Sequence, residues 1–308
     1  MDGPETMMQG DGAEISYPGL WDAETLRMNL AACLKEVAEE VEIPMKRLLR
    51  LMERDARYRE TMESWEALNE AERLKAWKRL VIVGQEVLQG ASAECAQCGE
   101  CCSKASPTLH LEDLEILRSG GIPLSRLVCL RRGEPVRSPF EDELFHLDEE
   151  RIKIREKPGT TECVFLDGAT GLCTIYPDRP AQCEAQACWD PSEARELSKL
   201  PHLTRRDLFN EVDLLLDVMA MHDEKCSFEN LQQAFRRLEE TGGESVDEVL
   251  KLLAYEDHFR TFMAEQLKIP GDTIELVFGR SYADLTYLFG FHVVHGPDGG
   301  HCLVPDQD

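Results

Sequence analysis

Four of the twelve cysteines fall within eight residues, as Cys95, Cys98, Cys101 and Cys102 in the run C-A-Q-C-G-E-C-C. Four more follow at Cys163, Cys173, Cys183 and Cys188. Thiolates are soft ligands that select zinc, Cu(I) and iron–sulfur clusters. C-x-x-C spacing lets two sulfurs reach one metal from a tight turn, and Gly99 eases the bend after Cys98. A lone C-x-x-C carries little weight; this run, followed by four further cysteines, is a specific pattern. Its first three cysteines follow ferredoxin-type spacing, but the fourth is adjacent to the third. Neighbouring side chains diverge, so Cys101 and Cys102 are expected to be unequal, one of them serving a second metal or facing the core.

The remaining ligands are expected from a hairpin. Cys163–Leu166 and Leu172–Ile175 flank the loop Asp167-Gly168-Ala169-Thr170-Gly171. If Leu166 pairs with Leu172, Cys163 and Cys173 share one face as diagonal neighbours, about 7–8 Å apart at Cβ. That span suits a multi-iron cluster better than one zinc. Pro177 and Pro180 then stiffen the segment that brings Cys183 back toward the hairpin. Arg179 offsets thiolate charge or makes a surface ion pair.

These residues resemble a known family. C-x-x-C-x-x-C-C at Cys95–Cys102, C-x-F-L at Cys163–Leu166 and C-x-I-Y-x-x-R-P-x-x-C at Cys173–Cys183 are similar to the zinc- or iron-chelating cysteine-cluster family, often called YkgJ-like. The resemblance covers residues 95–190. It implies a metal-binding module, iron–sulfur ahead of zinc, with Cys95, Cys98, Cys101, Cys102, Cys163, Cys173 and Cys183 at the matching positions. A related group, the flagellin lysine methylases, pairs such a cluster with methyl transfer. No glycine-rich nucleotide loop is present here, so that activity is not carried over. Glu184-Ala185-Gln186-Ala187 replaces the family's basic-aromatic stretch, and Cys188 remains a candidate on spacing alone.

The elements that must position these thiols read as mainly helical, with a small α+β cysteine-rich module of two short hairpins between helical segments. The expected division is a disordered 1–20, a helical 21–90, a cysteine module at 91–195 and a helical 196–308. Asp22 is the expected N-cap of a helix over Ala23–Val41, whose stripe includes Leu26, Leu30, Cys33, Leu34 and Val37. Pro44 opens a second helix. A third, capped at Ser64 or Asn69, carries Trp65 to Val87 and stops near Gly90. Leu144–Leu147 and Arg151–Arg155 are expected to pair as a hairpin around Asp148-Glu149-Glu150. Ser245 and Glu248 form a capping-box pattern before a helix to about Leu267. The tail, His292–Asp308, is rich in Gly, Pro and His.

Other candidates weigh toward structure. Cys33 and Cys129 read as core, and Cys226 with His222 as a structural pair. His292, His295, His301 and Cys302 match no structural zinc spacing. No catalytic triad order, P-loop or zinc-protease helix occurs.

Lys and Arg total 34 against 59 Asp and Glu, a net charge of −25. Such a surface repels phosphate backbones and anionic lipid, so neither nucleic acid nor membrane is an expected partner. No apolar run approaches the roughly 20 residues of a membrane span. The first 17 residues lack the basic start and apolar run of a secretory signal. The cytoplasm is the expected location, where cysteines serve as ligands, redox groups or small hydrophobes rather than staples. The leading reading is a thiolate-ligated metalloprotein with a redox or enzyme-supporting role, acting with a redox or protein partner. The alternative is a structural zinc module whose helical flanks bind a protein.

Overall fold

The computed structural model describes residues 17–41, 43–90, 95–137, 143–295 and 301–306. The chain divides into two compact units, Met1–Glu100 and Cys101–Asp308. The expectation of a disordered 1–20 falls largely outside the described residues.

The first unit is helical: α1 (Ala23–Glu40), α2 (Met45–Arg54), α3 (Ala56–Ser64) and α4 (Glu70–Gln89). Asp22 caps α1 by accepting from the Thr25 amide, as its type and position predict. Asn69 caps α4 in a full capping box with Glu72. Sequence reading left α3 unassigned. Asp55 starts it, accepting from the Arg57 amide, and Trp65–Ala67 then form a separate 3₁₀ turn. The core gathers Leu26, Leu30, Leu34, Leu48, Met52, Trp65 and Leu80. Cys33 is exposed, contrary to its expected place in that core. The buried stripe of α1 is narrow, Leu26, Leu30, Leu34 and Ala38 at four-residue steps, and Cys33 lies off its edge.

The second unit is α+β in its first half and helical in its second. β1 (Leu127–Leu130) and β2 (Pro135–Arg137) form one arm of a two-stranded ribbon; β3 (Leu144–His146) and β4 (Arg151–Ile154) form the other. β1 pairs with β4 and β2 with β3, both antiparallel and in one continuous register. Leu147 bridges the interruption, accepting from Gly133 at 2.8 Å and donating to Glu134 at 3.0 Å. The strands expected at 144–147 and 151–155 therefore exist, but they do not pair with each other. They lie end to end and pair with a partner arm that sequence reading left unassigned. Ile152 and Ile154 of β4 face the core with Leu109, Leu127 and Leu203.

Beyond the cysteines run helices Ser192–Leu197, Arg205–Leu208, Asp213–Lys225, Phe228–Glu240 and Val246–Leu267. Between Leu208 and Asp213 the helical path is broken. The Ser245–Glu248 capping box does not form: Ser245 caps nothing with its side chain, and Glu248 pairs with Arg237 instead. The tail forms a hairpin, β5 (Phe291–His295) with β6 (His301–Pro305), which its composition did not predict. No described helix is long and apolar enough to cross a membrane.

Candidate metal centre

Cys95 and Cys98 belong to the first unit. Their turn is wrapped by two left-handed residues, Gln97 at φ 55° and Gly99 at φ 74°. Glycine adopts that region at little cost, which answers the bend expected after Cys98. The wrap aims the Gln97 amide at the Cys95 sulfur, 3.4 Å away. Arg54, the last residue of α2, holds the turn by donating to the Ala96 carbonyl at 3.0 Å.

The second unit gathers Cys101, Cys102, Cys163, Cys173 and Cys183 from four segments. Cys101 and Cys102 lie on the short helix Glu100–Lys104. Their sulfurs are 4.0 Å apart. They converge rather than diverge, because successive residues on a helix differ by about 100° in direction and their long S–C bonds close the gap. With zinc–sulfur bonds of 2.3 Å, the edge of a tetrahedral thiolate site is about 3.8 Å, so the pair fits one centre. Cys163 reaches the group through its backbone: its N–H donates to the Cys102 carbonyl at 2.8 Å. The Thr161 hydroxyl adds a bond to the Ser103 carbonyl at 3.1 Å.

The hairpin register differs by one residue from expectation. Leu166 stands opposite Cys173, flanked by bonds from Asp167 to Leu172 and from Thr174 to Phe165, each 2.9 Å. Cys163 leaves the hairpin through a turn in which Leu166 donates to its carbonyl at 3.0 Å, and it bridges Glu156 instead. The diagonal argument for the spacing of Cys163 and Cys173 therefore falls. The tight loop has a local cause: Asp167 Oδ1 accepts from the Ala169 and Thr170 amides and the Thr170 hydroxyl, an arrangement typical of Asp in turns. Cys183 sits on the short helix Ala181–Ala185 after Pro180.

Electrostatics ties the five sulfurs together. The Cys102 thiol is pushed far above the ordinary cysteine range, first by its hydrogen bond with Cys101, then by burial and the like charge of Cys101, Cys183 and Cys163. Burial raises Cys183, and Cys101, Cys163 and Cys173 raise it further. Burial likewise raises Cys163, with Cys173 and Cys101 adding to it. Thiols that oppose one another's ionisation form a site that a cation would relieve, since a bound metal inverts the local charge balance. The donor set thus fits a soft metal. The sulfurs are gathered rather than clamped: among the described residues, no three His, Cys, Asp or Glu side chains already stand as a ready metal cage. Their floor is apolar, with Cys163 inside the core cluster and Cys102 and Cys173 packed against it.

Cys188 is exposed and lies outside the largest charge partners of Cys102, Cys163 and Cys183. Arg179 lies over the Tyr176 ring at 4.3 Å and pairs with Glu184 at 3.4 Å, the surface ion pair among its two expected roles. Cys129 is buried, as expected. Cys226 is buried too, its thiol pushed up to about 12 by burial and by Glu256. Its partner His222 is held between Glu256, 3.3 Å from Nε2, and Arg131, 3.5 Å from Nδ1. Arg131 also donates to the Cys226 carbonyl at 2.7 Å. His222 and Cys226 therefore belong to a buried ionic network. His292 pairs with Asp306 at 2.9 Å.

Sequence reading passed over Asp113, Gln182 and the stacked pair His110 and His202. Asp113 Oδ1 accepts from the Ala181 amide at 2.8 Å, and Gln182 Oε1 accepts from the Thr108 amide at 2.6 Å. The two imidazoles lie 4.6 Å apart. The sole local cue was His110-x-x-Asp113, a first-turn capping spacing; the long-range partners leave no trace in sequence.

Fold and geometry define a cysteine-cluster module built to gather soft ligands. Residues 94–205 are similar to the CxxCxxCC family, described as "Putative zinc- or iron-chelating domain". No curated protein and no solved structure shows significant similarity to the chain.

Proposed function

We propose that the protein holds an iron–sulfur centre on Cys101, Cys102, Cys163, Cys173 and Cys183, with Cys188 as the outermost candidate; Cys95 and Cys98, in the first unit, are metal-ligand candidates on their own spacing and turn. The module is assigned to residues 91–195. One observation carries this reading: Cys102, Cys163 and Cys183 are each raised by other thiols of the set, Cys101 and Cys173 among them, and these five are more donors than the four a tetrahedral zinc takes. When bound, the cluster would supply one-electron redox chemistry. The chain's own residues gather the thiols, exclude water from below and hold Cys163 against Cys102. The role that follows is electron transfer or support of a partner enzyme, in the reducing cytoplasm where thiols stay available.

A structural zinc reading has its own support in Cys163, which is part of the apolar core, so a metal there would stabilise the fold directly. Its flanking helices would then serve a protein partner. Anaerobic purification, metal analysis and a visible spectrum with and without dithionite separate the two. A brown protein that bleaches on reduction is the expected result. A colourless protein with stoichiometric zinc overturns the iron–sulfur assignment.

A further inference from the structure

Cys183 is carried by a helix of five residues, Ala181–Ala185. One turn of helix does not hold itself in place, because nucleation is unfavourable without outside contacts. Two side-chain bonds supply those contacts. Asp113, only 1% exposed, accepts from the Ala181 amide with Oδ1 and from the His110 amide with Oδ2, each at 2.8 Å. Gln182 accepts from the Thr108 amide. Thr108 and His110 lie on the segment that leaves the Cys101–Cys102 helix. That segment is laid along β4, with Leu109 donating to Ile152 at 2.8 Å and Ile154 donating to Pro107 at 3.0 Å. Asp113 thus joins the chain leaving two thiols to the first residue of the helix that brings a third.

We propose that Asp113 is the positioning residue of the metal centre: its carboxylate places Cys183 through the Ala181 amide, without itself being a ligand. This rests on the ligand role given to Cys183 above. Both carboxylate oxygens are engaged by backbone amides, and charge-assisted bonds of this kind are the stronger, more directional ones. Removing an outer partner of a metal ligand typically costs 10–100-fold in metal affinity.

The test titrates the full-length, metal-free protein with Co(II) under anaerobic conditions and reads the thiolate-to-cobalt charge-transfer band. Asp113→Ala is expected to weaken Co(II) binding about 10–100-fold and to lower the band to the intensity seen in Cys183→Ser. The double variant Asp113→Ala with Cys183→Ser is expected to bind no more weakly than Cys183→Ser alone, since one residue acts through the other. A general loss of fold would instead add to the Cys183→Ser defect, and additivity overturns the proposal. So does a wild-type band in Asp113→Ala. Asp113→Asn, which keeps one acceptor oxygen, is expected to fold with wild-type circular dichroism and bind Co(II) with intermediate affinity; wild-type affinity there counts against the proposal. A full band in Cys183→Ser, with losses in Cys101→Ser and Cys163→Ser, removes the ligand role of Cys183 and the proposal with it. An unchanged band in every thiol variant overturns the metal-centre reading itself.

Discussion

The amide of Cys163 donates to the carbonyl of Cys102 at 2.8 Å, so two thiol-bearing residues 61 positions apart are joined through their backbones. The bond fixes where the two segments meet, while both side chains stay available as donors. The Cys101 and Cys102 sulfurs, 4.0 Å apart, stand at the same meeting point.

Because Cys101 and Cys102 converge, neither is dispensable. Cys101→Ser and Cys102→Ser, made separately, should each lower metal content and affinity at least on the order of tenfold, to similar extents. Cys188→Ser, at an exposed position, should cost less than Cys183→Ser. Metal analysis after desalting checks the ranking; a large loss from Cys188→Ser alone would reverse it.

Metal affinity should rise steeply with pH. Burial and neighbouring thiols hold Cys102, Cys163 and Cys183 above the ordinary thiol range when no cation is bound. Each must therefore release a proton on binding, and every released proton adds about one decade of affinity per pH unit. Chelator competition between about pH 6.5 and 8.5 should give a slope of more than two decades per unit. A flat profile would mean the thiols are already ionised.

The stacked imidazoles predict an acid-sensitive fold. Burial, then Arg151 and His110, hold the pKa of His202 down to about 4, against an ordinary value of 6.5. Burial depresses His110 as well. A group depressed in the folded state stays neutral there while the unfolded chain takes up protons. Stability is therefore complete above about pH 6.5 and falls as pH drops toward 4, by about 3 kcal/mol from His202. Urea unfolding of the metal-free protein across this window should show the loss. His202→Gln should flatten it, and an unchanged slope in that variant would assign the effect elsewhere.

A fourth prediction concerns the ionic network behind the ribbon. Glu256 is 1% exposed and accepts from His222, from Arg260 at 3.1 Å and from the Tyr282 amide at 3.2 Å. Burial alone would raise its carboxyl; His222, Arg260 and Arg131 outweigh it and leave the pKa lowered. Glu256→Ala strands these buried donors and should cost about 3–5 kcal/mol in denaturant unfolding. A cost under about 1 kcal/mol would show that the network relaxes around the loss.

The sequence by itself determined the chemistry of the site and most of the helices. The donor type follows from the cysteines alone, because thiolate softness is a property of the side chain and needs no neighbours. Local chemistry also fixed the caps at Asp22 and Asn69, where a short polar side chain bonds an amide three residues on. The turn at Cys95–Cys98 is local as well, since Gly99 supplies the left-handed backbone. What the tertiary structure decided is which distant segments meet. β4 pairs with β1, not with the nearer β3, because the two arms of the ribbon share one register and bury Ile152 and Ile154 together. The tail, for which composition predicts no element, becomes a hairpin by pairing His292 with Val304 and Val294 with Cys302. Asp113 reaches Ala181, and Cys163 reaches Cys102, through single hydrogen bonds across 68 and 61 residues. Periodicity and spacing describe residues a turn or a strand apart. A bond across such a distance depends on the packing of everything between, so the candidate thiols were legible in the sequence and their grouping was not.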